Sequence, residues 1–75
     1  MNREVLSFAL NETTHALRYV ESAARRFATE IERLEAGSKL AVSVGYIQNR
    51  LSDAQASLVT AEREIQRLIH EVNSR

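Results

Sequence analysis

Two histidines, ten carboxylates and nine arginines supply most of the polar chemistry open to this 75-residue chain, which has no cysteine. Glu12-Thr13-Thr14-His15 reads E-x-x-H. On a helix that spacing puts a carboxylate and an imidazole on one face, the arrangement of helical di-iron carboxylate sites. Two copies meeting in a dimer, with Glu62 from the other half of the chain, would begin such a site. It needs several inward carboxylates, however, and His70 has no comparable neighbour, so metal binding is a remote alternative and no cofactor is expected. No nucleophile–base pairing and no glycine-rich phosphate loop is present, which points away from an enzyme.

Two further constellations suit binding rather than catalysis. Arg18, Arg25, Arg26 and Arg33 fall on one outer helix face, where a dimer would join two copies into a basic band fit for nucleic-acid phosphates. Against this, Glu21, Glu30, Glu32 and Glu35 interleave, and Glu21 with Arg25 and Glu30 with Arg33 stand at ion-pairing distances along a helix. A self-neutralised, solvated face is the expectation. The second constellation is Val5, Phe8, Glu12, His15 and Tyr19, at 3,4 spacing. Its aromatics, grouped towards one end, form a candidate partner-binding stripe.

The elements that must carry these residues follow from the apolar pattern. One a/d seam runs Leu6, Leu10, Thr13, Leu17, Val20, Ala24, Phe27, Ile31, Leu34; a second runs Leu40, Val44, Ile47, Leu51, Ala54, Leu58, Ala61, Ile65, Leu68, Val72. The step from Leu34 to Leu40 breaks the repeat at Ala36-Gly37-Ser38. Gly37 suits a left-handed helix end and Ser38 an N-cap. A single domain over residues 1–75 is expected: helix 1 about 3–36, a turn about 37–39 and helix 2 about 39–73. The fold class is all-α, a coiled-coil-like antiparallel helical hairpin. Seam partners such as Leu17 with Leu58 and Leu10 with Ile65 have numbers totalling 74 or 75 throughout, so one register closes the hairpin. Asn2 is a candidate cap for helix 1, while Arg67 and Arg75 complement the dipole at the end of helix 2. Asn11-Glu12-Thr13-Thr14 are poor helix formers that could detach residues 1–10. Gly45 falls inside helix 2, where it costs about 1 kcal/mol relative to alanine.

Ala9, Ala16 and Ala23 recur every seven residues beside the seam, opposite Ser57 and Arg50, and the Thr13–Ala61 layer is thinly filled. Two helices cannot enclose their own apolar stripe. Ala9, Ala16, Ala23, Thr13 and Ala61 are therefore the expected oligomer interface of a dimeric four-helix bundle. Val42 and Tyr46 look like packing trim near the turn.

The outline resembles families of short helical hairpins in shape, length and periodicity: the small co-chaperones of type III secretion needle subunits, the RNA-binding plasmid hairpin Rop, and the WXG100 secreted proteins. The W-x-G turn of the last is replaced by E-A-G-S, and no distinctive motif of the others is matched. The formal net charge is zero, with 44% hydrophobic and 27% charged residues. The expectation is a small non-enzymatic protein-binding module of adaptor, co-chaperone or inhibitor type, acting through a helix face as a homodimer. A Rop-like nucleic-acid-binding dimer using the arginine face is the alternative. No secretory signal or membrane segment is legible, so the expected location is cytoplasmic. Leaderless export, or the host cytoplasm for a phage protein, stands as the lesser alternative.

Overall fold

The computed structural model describes residues 2–74. Two helices, α1 (Arg3–Arg33) and α2 (Lys39–Asn73), pack against each other as a helical hairpin. Thirty-one and 35 residues at about 1.5 Å rise each give a rod of 57 × 14 × 13 Å. Its radius of gyration is 16.9 Å, against about 11 Å for a compact chain of this length. Among the described residues no helix is long and apolar enough to cross a membrane.

Local chemistry sets the helix ends. Asn2 caps α1, its Oδ1 accepting from the Glu4 amide at 2.8 Å, and Glu4 brings negative charge to the first turn. The α1 helix stops at Arg33 because Leu34 is already extended (φ −89°, ψ 147°). Gly37 is therefore not a helix C′ residue. It sits third in a β-turn closed by the Ser38 amide donating to the Glu35 carbonyl at 3.1 Å. Its φ of +83° is the left-handed value that a type II turn demands there. Ser38 then caps α2, its Oγ accepting from the Ala41 amide at 3.1 Å. Arg75 lies outside the described residues.

Residues 3–10 do not detach: α1 is continuous and Leu6 is 4% exposed. The suspect threonines find partners instead. Thr13 Oγ1 donates to the Ala9 carbonyl at 2.7 Å, and Thr14 Oγ1 crosses to Glu62 Oε2 at 2.7 Å. A hydroxyl so satisfied costs the helix little.

Only Leu6, Leu17 and Val44 are buried among the described residues. With Leu6 at d and Leu10 at a, the cross-helix hydrogen bond joins two e positions, Thr14 and Glu62. One groove is lined by the next e residues along each helix, Glu21, Ala28, Gln48 and Gln55. Stepping seven down one helix and seven up the other keeps that register, as the antiparallel seam requires. The seam differs from expectation near the turn. Leu40 is 60% and Ile47 41% exposed, although both occupy d positions. There α2 turns inward a smaller face instead, with Ala41, Val44, Gly45 and Gln48 at least half-buried. A Cβ on Gly45 would lie 3.6 Å from Ile31 Cδ1, so the glycine faces the isoleucine of α1. Large Ile31 against small Gly45 fills the layer, and the bulkier Leu40 and Ile47 stand exposed at its flank.

Candidate interaction surface

The rotation of α2 makes the two long edges of the rod unlike. The e edge is bridged and polar: it carries Thr14 with Glu62, then Glu21, Gln48 and Gln55. The opposite, g edge is open. Ala9, Ala16 and Ala23 are half-buried along α1, with the ion-paired Glu30 next in line, while Ser43, Arg50, Ser57, Glu64 and Glu71 of α2 are exposed. Leu40 and Ile47, displaced from the seam, emerge beside it, because d positions flank g.

Among the described residues seven large apolar side chains are exposed: Val5, Phe8, Tyr19, Leu40, Val42, Tyr46 and Ile47. Leu40 and Ile47 sit at d, and Val5, Tyr19 and Tyr46 at c, on either side of g. Phe8 and Val42 occupy f, on the outermost surface. None lies on the e side. Val42 and Tyr46 are thus not trim within the hairpin, being 66% and 64% exposed.

The expected partner stripe is therefore divided. Val5 and Tyr19 belong to the rim of the open edge, whereas Phe8, 67% exposed, and His15 point outward from f. Thr13 and Ala61, expected at an oligomer interface, are half-buried in the seam itself. What the sequence pattern missed is that Leu40 and Ile47 would leave the seam. The small Ala41 and Gly45, each one residue after an a/d position, were the available signal.

The arginine face is less neutralised than its spacing implies. Among the described residues Arg33 pairs with Glu30 at 3.6 Å, and Arg50 with Asp53 at 3.0 Å. Arg67 pairs with both Glu64 (3.0 Å) and Glu71 (3.4 Å). The expected Glu21–Arg25 pair is not formed, and Arg18 and Arg26 also make no ion pair. Glu21 and Arg25 both line the e-edge groove without pairing.

The E-x-x-H residues do not assemble. Glu12 and His15 are exposed on the outer face of α1, while Glu62 accepts from Thr14 on the e edge. No group of three potential metal ligands converges among the described residues.

Comparison with protein-family models, with curated proteins and with solved structures finds no match to this chain.

Proposed function

We propose that the chain is a non-enzymatic protein-binding module that acts through its open g edge, and that the occupant of this edge is a second copy of itself. Two hairpins joined there form a four-helix bundle, the platform for an adaptor, co-chaperone or inhibitor role. The observation that carries the reading is the sidedness of the exposed apolar residues: five of the seven occupy c or d positions, on the g side of the rod, and none lies on the e side.

Surface area supports it. The chain exposes 5849 Å², against roughly 4,650 Å² for a globular monomer of its mass. Covering that excess on both copies would remove about 2,400 Å² in total, the scale of a permanent homodimer interface. The small Ala9, Ala16 and Ala23 side chains would let a neighbouring helix come close, with Leu40 and Ile47 as apolar anchors.

Ala16→Glu places a charge in the centre of this edge, and Gln55→Glu places the same charge on the e edge. Sedimentation equilibrium should find Ala16→Glu monomeric and Gln55→Glu dimeric. Equal effects of the two, or none from Ala16→Glu, would remove the g edge from the account.

A further inference from the structure

The middle of α1 carries a second surface, on the rim of the edge assigned above to self-association. Tyr19 is 79% exposed, the most exposed large apolar residue among those described. It stands between two shallow depressions. One is lined by His15, Arg18, Tyr19 and Ser22, the other by Tyr19, Ser22, Ala23 and Arg26. An aromatic face is thus flanked on both sides by a guanidinium, with the small Ser22 common to both depressions. Neither arginine makes an ion pair among the described residues, although Glu21 lies three residues beyond Arg18 and five before Arg26. Of the carboxylates within helical reach, Glu21 lines the e-edge groove on another side of the helix, and Glu30, four residues beyond Arg26, pairs with Arg33.

We infer that this face binds single-stranded nucleic acid. One base stacks on the Tyr19 ring while Arg18 and Arg26 take the phosphates on either side. Stacking on an exposed ring needs no base-specific contact, and arginine recognises phosphate through its planar fork of N–H donors. Arg18 and Arg26 are eight residues apart, about 12 Å along the helix axis at 1.5 Å each. Their long side chains can close that distance onto a short stretch of backbone. A duplex is a poor fit, because its bases are already stacked and offer no free face to Tyr19. An acidic polypeptide would satisfy the arginines but leave the ring without its partner. Tyr19 lies on the rim of the g edge rather than at its centre, so the surface is compatible with dimerisation and does not depend on it.

The test is fluorescence anisotropy of a labelled oligo-dT with the whole chain, at matched protein concentration. Two phosphate contacts predict a log–log salt slope of about −1.4. Affinity should then fall about sevenfold on a fourfold rise in salt. Tyr19→Ala should weaken binding by roughly five- to a hundredfold. Arg18→Gln/Arg26→Gln should weaken it and flatten the salt slope. Lys39→Gln/Arg63→Gln, which removes the same two charges from exposed positions of α2, should leave it unchanged, with circular dichroism confirming equal helix content throughout. Three results would each overturn the inference: no binding at low salt, Lys39→Gln/Arg63→Gln as damaging as the Arg18/Arg26 pair, or displacement of the oligonucleotide by polyglutamate of the same charge with Tyr19→Ala silent.

Discussion

Replacing Gly45 with alanine should make this protein more stable, and the size of the effect can be worked from the geometry. In a helix interior glycine costs about 1 kcal/mol relative to alanine, through the backbone freedom that it loses on folding. That gain is realised only where the new methyl has room. A Cβ at position 45 would sit 3.6 Å from Ile31 Cδ1, an ordinary van der Waals contact. Neither overlap nor a void then offsets the propensity term. For a chain of this size 1 kcal/mol corresponds to roughly 4–8 °C in melting temperature. Far-ultraviolet circular dichroism melts, at one protein concentration because association shifts the midpoint, read it directly. The substitution also bears on assembly. Gly45 is at b, away from the g edge, so Gly45→Ala should leave the association state unchanged. A lower melting temperature, or loss of the dimer, would mean that another backbone packs on Gly45, and the second helical layer would have to be moved to that side.

Other substitutions probe the elements that hold the rod together. Leu17→Ala, at one of the three positions buried among the described residues, should cost about 2–4 kcal/mol, measured as a lowered urea midpoint. Gly37→Ala forces a side chain into a turn residue with φ +83° and should destabilise by about 1 kcal/mol, seen in the same titration. A double-mutant cycle on Thr14→Ala and Glu62→Ala should give a coupling of about 1 kcal/mol, since the bond joins two half-buried side chains at 2.7 Å. No coupling would show that the e edge is not closed by this contact.

Much of the architecture was legible because it rests on local rules. Heptad spacing, the two caps at Asn2 and Ser38, and the glycine at the turn are each decided within a few residues. Register was legible too, since an antiparallel pair with one short turn leaves little freedom to slide; the Thr14–Glu62 bond obeys it. Rotation of a helix about its own axis was not. Whether Leu40 or Ala41 faces the core depends on how Ile31 fills the layer opposite, and that is a property of two helices together. The candidate surface inherits this. Ala9, Ala16 and Ala23 were readable as a smooth edge, but the exposure of Leu40 and Ile47 on the same side, nearer the turn, was not. Arg25 shows a similar limit: i,i+4 spacing permits an ion pair with Glu21, and both line the e-edge groove, yet the pair is not formed. Exposed pairs of this kind contribute so little that their geometry is easily overruled.

The central claim, that the open edge is covered by a second copy, is tested most directly by the solution mass of the unmodified chain. Light scattering across a concentration series should give about 17 kDa, twice the 8.5 kDa of one chain, with dissociation only on strong dilution. A constant 8.5 kDa at all concentrations would contradict the account, leaving Leu40, Ile47 and the alanine edge without the partner argued for them.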